Sequence, residues 1–296
     1  MIPEILKQKL INNYGIDDVN DIIESYQNKK IVSLRINTLK TTKENIISIL
    51  KENNIAYKEI SWSSAALIIP NNTEEDLKKL SIYEDGLIYL QNLSSQIPPL
   101  FLNPQANETV LDMAAAPGGK TTEIAALTNN KAMITAIEKN KIRAQRLQYN
   151  IDKLGAKKIT ILNKDARYLD QFFIFDKILL DAPCTGSGTL NLETMNSFNE
   201  ELLNRSLNTQ KSLLTEAIKH LKIGGELIYS TCSILKEENE KHILSLLKEH
   251  QNIILVPLTL KDTTLELLPS TIEGVLTIKP NKYYEGFFIA KIKKIN

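Results

Sequence analysis

Hydrophobic positions in the first 27 residues recur at helical spacing: Ile5, Leu6, Leu10 and Ile11, then Val19, Ile22 and Ile23. Their phase breaks at Tyr14-Gly15, which predicts two short amphipathic helices. An extended run, IVSLRINTL, follows, and TTKENIISILKENN returns to helical periodicity with Thr42 at its start. A second extended stretch, AYKEISWSSAALIIP, stops at Pro70, and TEEDLKKL reads as a helix capped by Thr73. These elements predict N-terminal helices over residues 1–30 and a small α/β module over residues 31–85.

Past Gly86 the rhythm changes. Short apolar runs (TVLDMAA, AMITAIEK, KITILNKDA, FDKILLDAP, ELIYSTCS and EGFFIAKIKK) alternate with helical stretches. The clearest helix is ELLNRSLNTQKSLLTEAIKHLK, with Gly224-Gly225 as its expected stop. Such alternation predicts an α/β fold with a doubly wound, mostly parallel sheet over residues 86–296. Ligands of such sheets bind beyond the carboxyl ends of the strands. Residues 114–120, Glu138, Asp165, 181–184 and 230–233 all fall there.

Composition narrows the classes further. A chain of 296 residues, 43% hydrophobic and 24% charged, can bury a sizeable core. The net charge of +1 gives no global sign of a nucleic-acid partner, so any RNA surface must be local. The start, MIPEILKQKL, lacks a secretory pattern, and the apolar runs are too short for a bilayer. No membrane association is expected. Two cysteines exclude a disulfide framework and fit a reducing, cytoplasmic setting. The three histidines, His220, His242 and His250, fall in predicted helices on expected solvated faces, so no metal site is expected.

The segment LDMAAAPGGKTTEIA reads as a strand, a tight turn of small residues and a helix start. Gly118 and Gly119 allow close backbone approach, and helix N-terminal amides favour an anion. As a P-loop it is a relaxed match, with Ala114 in place of the first glycine and Pro117 removing a donor. As a methyltransferase loop it demands an acidic residue closing the second strand, and Glu138 stands there, with Asp165 near the third. The second reading is favoured.

Cys184 in DAPCTGSG and Cys232 in YSTCS each follow an apolar strand and sit in a turn of small residues. The ordinary reading of a cysteine at a strand end is a small buried hydrophobe. Two of them on strands expected to be neighbours, with Asp181 three residues before Cys184, suit a different chemistry. Carbon 5 of cytosine is a poor nucleophile until a thiolate adds to carbon 6. That reaction needs one nucleophilic cysteine, a carboxylate for the ring nitrogen and help in removing the carbon-5 proton.

With these residues assembled, the chain resembles the RsmB/Nop (Sun/Nol/Nop) family of RNA cytosine-5 methyltransferases over about residues 31–296. The resemblance rests on LRINTLK, GLIYLQNLSS, DMAAAPGGKTT, AIEKNKIRAQRL, NKDAR, LLDAPCTGSGT, YSTCSILKEENE and EGFFIAKIK. It implies a Rossmann-like class I methyltransferase sheet with an antiparallel last strand, and a small RNA-recognition-like module before it. It implies S-adenosyl-L-methionine as cofactor and RNA as partner, with rRNA favoured over tRNA, and a monomer is expected. Cys232 is then the nucleophile, Cys184 the aid to proton removal and release, Asp181 the holder of the cytosine ring nitrogen, and Lys120 its neighbour. Cofactor contacts are implied for Ala114, Ala115, Ala116, Pro117, Gly118, Gly119, Lys120, Glu138, Arg143, Asp165 and Asp181. Departures are small: Ala114 replaces a frequent cysteine and Asn92 a frequent acid. The 30 residues before IVSLRINTL are too few for the NusB-like domain that the RsmB proteins carry.

Residues 139 to 168 hold nine Lys or Arg against two Asp, a candidate RNA track or a solvated helix face. Residues 1 to 85 carry 11 Lys or Arg and 13 Asp or Glu. Within that module Arg35 and Asn37 are expected either near the substrate or in a joint between the two domains. A paired cytosine would have to be flipped out, with Tyr229 and Phe198 as candidate stacking aromatics.

Overall fold

The computed structural model describes residues 2–296. The first helix, α1 (Glu4–Gln27), is broken at Gly15, where φ of 82° and ψ of 171° leave helical space. It is followed by β1 (Val32–Ile36), α2 (Lys43–Glu52), β2 (Lys58–Glu59), β3 (Ala66–Ile69), α3 (Glu74–Lys78), α4 (Ser81–Glu84) and β4 (Ile88–Leu90). The four strands form an antiparallel sheet in the order β2-β3-β1-β4. Leu34, Ile36, Leu67 and Ile69 from the sheet meet Ile46 and Leu50 of α2 in its core. Thr42 and Thr73 cap α2 and α3 as their positions suggest. The sheet takes its edge strand β4 from residues beyond 85.

The N-terminal helix does not pack on this module. Leu6, Leu10, Val19, Ile22 and Tyr26 join Leu190, Met195, Phe198, Leu203 and Ile234 in a separate cluster. The Tyr26 hydroxyl donates to the Ser187 carbonyl, inside the turn that follows Cys184. The helix therefore braces the larger domain.

That domain continues with α5 (Leu93–Leu102), β5 (Thr109–Asp112), α6 (Gly119–Leu127), β6 (Met133–Ile137), α7 (Lys141–Leu154), β7 (Ile159–Leu162) and β8 (Phe175–Asp181). Then come α8 (Glu200–His220), β9 (Leu221–Thr231), α9 (Glu240–Glu249), β10 (Ile253–Val256), β11 (Leu276–Ile278) and β12 (Phe287–Lys294). The sheet order is β10-β12-β9-β8-β5-β6-β7, with β11 against β12. From β9 to β7 all pairs are parallel, whereas β12 runs antiparallel to β9. This is the mostly parallel sheet with an antiparallel last strand that the resemblance implies. Its order reverses between β5 and β8, so the loops after these strands open on one crevice.

Two local expectations change, and one helix was not anticipated. Helix α8 ends at His220, and Gly224-Gly225 lies inside β9, where a Cβ on Gly225 would stand 2.8 Å from the Asp176 carbonyl. His220 is 2% exposed, its Nδ1 2.7 Å from the Phe173 carbonyl, so it faces the interior and not solvent. His242 is also recessed, and burial lowers its pKa to about 4. Finally, α5 has no clear sequence signal because Pro98 and Pro99 interrupt it. The Ser95 carbonyl, which loses its helical donor at Pro99, accepts instead from Gln91 Nε2 at 3.2 Å.

Candidate active site

The loop after β5 is held open from behind. Arg143 donates to the Ala116 carbonyl at 2.7 Å, Asn150 to the Pro117 carbonyl at 2.7 Å, and Arg35 to the Gly119 carbonyl at 2.6 Å. Gly118 adopts φ of 108°, and a Cβ there would approach Leu147 to 2.9 Å. The buried Asp112 closes β5. Thr121 donates to its Oδ2 at 2.6 Å, while Oδ1 has no partner. Burial raises the Asp112 carboxyl to about 6, against the pull of Thr121.

Across the crevice, Asp181 ends β8. Its Oδ2 accepts from Lys120 Nζ at 2.7 Å and its Oδ1 from Ser230 Oγ at 2.7 Å. Lys120 also donates to Ser95 Oγ at 2.7 Å and lies 5.3 Å from the centre of the Phe287 ring. Burial opposes the charge of Lys120, but Asp181 outweighs it and holds the ammonium above its usual range. With Nζ engaged twice, Lys120 is a poor candidate for a phosphate-binding lysine, which removes the main support of the P-loop reading.

Cys184 and Cys232 approach to 3.2 Å between sulfurs, and both are free and half-buried. The hydrogen bond to Cys232 and then burial push the Cys184 thiol well above its usual range. Both turns are tightly determined. Gly188 N donates to the Cys232 carbonyl at 2.9 Å, and Gly286 N to the Gly188 carbonyl at 2.8 Å. A Cβ on Gly188 would lie 2.1 Å from the Gly286 carbonyl, so the turn after Cys184 admits only glycine there. Beneath it sits the fully buried Glu238, which accepts from Thr185 N at 2.9 Å, Thr185 Oγ1 at 2.6 Å and Gln210 Nε2 at 3.1 Å. Burial raises the Glu238 carboxyl. Asn239 bridges Thr231 and the Ser233 carbonyl at 2.6 and 2.8 Å, fixing the turn around Cys232.

The candidate cofactor residues line two adjoining hollows. One, of about 260 Å³, is bordered by Asp112, Ala114, Ala115, Ala116, Pro117, Gly119, Lys120 and Asp181. The other is bordered by Ala114, Glu138, Arg143 and Asp165. Glu138 accepts from Asn140 N at 2.8 Å and stands 3.6 Å from Arg143. Asp165 is gripped by Arg167, whose hydrogen bonds hold its carboxyl below the usual range. Gly118 lies under the loop and borders neither hollow.

Arg35 and Asn37 sit in the domain joint. Beyond Gly119, Arg35 reaches Glu123 at 2.8 Å, Thr122 at 2.9 Å and Gln91 at 3.0 Å, whereas Asn37 donates to Gly86 and Leu154 carbonyls at 2.7 and 2.8 Å. Tyr229 and Phe198 are 0% and 3% exposed, so neither is available to stack on a base. Tyr229 instead donates to the Glu238 carbonyl at 2.6 Å. On α7, Lys141, Arg146 and Tyr149 do face solvent. Ser95, Gln210 and Glu238 are partners that the sequence reading did not single out. Glu238 and Ser95 each had a signal, through their places in YSTCSILKEENE and GLIYLQNLSS, and Gln210 had none.

No helix among the described residues is long and apolar enough to cross a membrane, and no cluster of three or more His, Cys, Asp or Glu among them could hold a metal. Residues 99–293 match the family model described as 16S rRNA methyltransferase RsmB/F, and residues 2–74 match the RsmF/B-like ferredoxin-like domain. Ribosomal RNA small subunit methyltransferase F of Shewanella piezotolerans is 35% identical over 98% of this chain and 63% of its own length. The chain thus spans somewhat under two thirds of that relative. Among solved structures, PH0851 is 36% identical with a TM-score of 0.90, covering 99% of this chain and 66% of its own. A methyltransferase homolog protein from Pyrococcus horikoshii is 29% identical with a TM-score of 0.85, covering 99% of this chain and all (100%) of its own.

Proposed function

The chain belongs to the RsmB/F family of 16S rRNA methyltransferases, and from that premise we propose that it methylates carbon 5 of a cytosine in small-subunit rRNA through a covalent cysteine adduct. The observation that carries this reading is the pair of sulfurs 3.2 Å apart beside a carboxylate that is itself bound by Lys120.

The residues present fit S-adenosyl-L-methionine, which when bound supplies an electrophilic methyl group on a sulfonium. Asp112 Oδ1 is a buried acceptor without a partner and suits the ammonium of an amino acid. Ala114, Ala115, Ala116, Pro117 and Gly119 provide a wall without bulky side chains. Glu138 suits ribose hydroxyls and Asp165 an adenine amine, on the neighbouring strand ends.

Cys232 adds to carbon 6 of cytosine while Asp181 supports the proton gained at the ring nitrogen, which turns carbon 5 into an enamine nucleophile. Lys120 and Ser230 keep the Asp181 carboxylate oriented. After methylation the carbon-5 proton leaves and the bond from carbon 6 to Cys232 breaks, restoring aromaticity and the thiolate. Cys184 is suited to that second half. The first cause of its raised pKa is the hydrogen bond to Cys232, and the charge of Cys232 adds to it. Once the Cys232 sulfur is bonded to carbon its charge is gone, which eases ionisation of the Cys184 thiol while burial and Glu238 continue to oppose it.

The test is transfer of labelled methyl from the cofactor to unmethylated total RNA. Cys232→Ala is expected to abolish transfer, and Cys184→Ala to accumulate a covalent protein–RNA adduct. Cofactor binding without label on any cytosine would sink this reading.

A further inference from the structure

Glu285 directly precedes the Gly286 that packs on the Cys184 turn, and its backbone is clamped to the start of α5. Its N–H donates to Asn92 Oδ1 at 3.2 Å, and its carbonyl accepts from Ser94 Oγ at 2.7 Å. The side chain is different. Among the described residues, Glu285 is the one carboxylate off the exposed surface that has neither a side-chain hydrogen bond nor an ion pair. Elsewhere recessed acids are matched: Glu123 with Arg35, Glu226 with Lys177 and Lys291, Glu238 with Thr185 and Gln210. The Glu285 oxygens are not sealed from water as Asp112 Oδ1 is, so this carboxylate, with no protein donor, is open to one brought by a ligand in the cleft.

The position of Glu285 says where that ligand lies. It borders the hollow of about 260 Å³ that holds Lys120 and Asp181, and equally an outer hollow of about 380 Å³ that opens past Lys29 and Lys30. Leu90, Gln91 and Asn92 border both, so the two form one cleft between the small module and the methyltransferase domain. Glu285 stands at the step between its outer and inner parts. The outer part is of mixed charge, bordered by Lys29 and Lys30 and by Glu74 and Glu75, and Lys30 Nζ donates to the Asn281 carbonyl at 2.7 Å.

We propose that this cleft admits the target nucleotide and that Glu285 accepts a hydrogen bond from a donor on it, either the exocyclic amine of the base or the ribose 2′-hydroxyl. This rests on the reading above and deepens it. Both sources share one chemistry, an N–H or O–H aimed at a carboxylate. Either would discriminate among substrates, since uracil lacks the amine and DNA the hydroxyl. A site built around such an acceptor rejects ligands that leave it unmatched. Burial raises the Glu285 carboxyl, with Lys30 and Lys120 partly opposing, which accords with a group awaiting its partner.

The experiment compares wild type, Glu285→Gln and Glu285→Ala in methyl transfer to 16S rRNA transcripts made with cytidine or with 2′-fluorocytidine. Binding of S-adenosylhomocysteine is measured on each protein by calorimetry. Glu285→Ala is expected to lose about 10- to 100-fold in kcat/KM for RNA, with cofactor affinity unchanged, and Glu285→Gln, which keeps an acceptor, to stay within about fivefold of wild type. If the donor is the 2′-hydroxyl, wild type on the fluorinated transcript falls to the level of Glu285→Ala. If it is the amine, wild type is indifferent to fluorine and Glu285→Ala is impaired on both. A folded Glu285→Ala with wild-type kcat/KM overturns this inference alone. Absence of wild-type transfer to cytosine, in transcripts and in unmethylated total RNA alike, overturns the functional reading and this inference with it.

Discussion

Replacing Arg35 tests the domain joint on which the cofactor loop depends. Its guanidinium reaches Gly119, Thr122 and Glu123 on α6, and Gln91 just after β4. The side chains of Arg35 and Glu123 are 5% and 6% exposed, so Arg35→Ala leaves a carboxylate buried without its partner. Loss of one member of a buried pair costs about 3–5 kcal/mol. The cost should depend on pH. Burial, partly offset by Arg35, raises the Glu123 carboxyl from its ordinary value of 4.5 to about 7. The folded chain therefore holds this proton more tightly than the unfolded one, and that contribution to stability is lost as pH rises through about 7. Without Arg35 the carboxyl moves higher still. At pH 6 both proteins keep the proton, and only the lost hydrogen bonds count, about 1–3 kcal/mol. Above pH 7 the penalty grows by up to about 1.4 kcal/mol per pH unit, adding about 2 kcal/mol by pH 8.5. Urea unfolding at the two pH values measures this. The single tryptophan, Trp62, donates to Tyr284 across the joint at 2.9 Å and reports its opening. Adding Glu123→Gln to Arg35→Met should recover about 2 kcal/mol at pH 8.5, because no buried charge then remains. An Arg35→Ala penalty below about 1 kcal/mol at pH 8.5, or one equal at both pH values, would refute the account.

Two further outcomes follow from the site itself. In Cys232→Ala the thiol of Cys184 loses the first cause of its raised pKa, so its alkylation at pH 8 should accelerate by about threefold for each unit of fall, once the lower nucleophilicity of a weaker base is included; mass spectrometry of iodoacetamide-treated protein follows it, and an unchanged rate would show that the two sulfurs do not interact. Affinity for S-adenosylhomocysteine should weaken about tenfold between pH 7.5 and pH 5, as Asp112 gains a proton below about 6, and Asp112→Asn should bind weakly without that dependence. Calorimetry across the range checks both, and a flat wild-type profile would exclude Asp112 from the cofactor site.

The sequence exposed those parts of the site that lie within one motif and concealed those made between motifs. The residues 114–120, Asp181, Cys184 and Cys232 stand at strand ends, and the period of the apolar runs places all of them on one edge of the sheet. Their proximity in the fold follows from β8 lying between β5 and β9. What holds them is nonlocal: Gln210 reaches Glu238 from α8, 28 residues away, and Arg35 reaches Glu123 across 88. No periodicity encodes such a pair. Arg35 stands in LRINT, a motif consistent with either a substrate contact or a joint, and the choice was made by Glu123, which in sequence is one more acid in a helix. Tyr229 misled in the opposite direction, since an aromatic beside the cysteine motif looks like a stacking platform until its hydroxyl is found under the Glu238 carbonyl. Glu285 follows the same logic in reverse. It stands in EGFFIAKIK like any strand-leading acid, and only the absence of a partner in the fold distinguishes it. A missing contact has no sequence signature, so only the fold singles Glu285 out from the other acids of the chain.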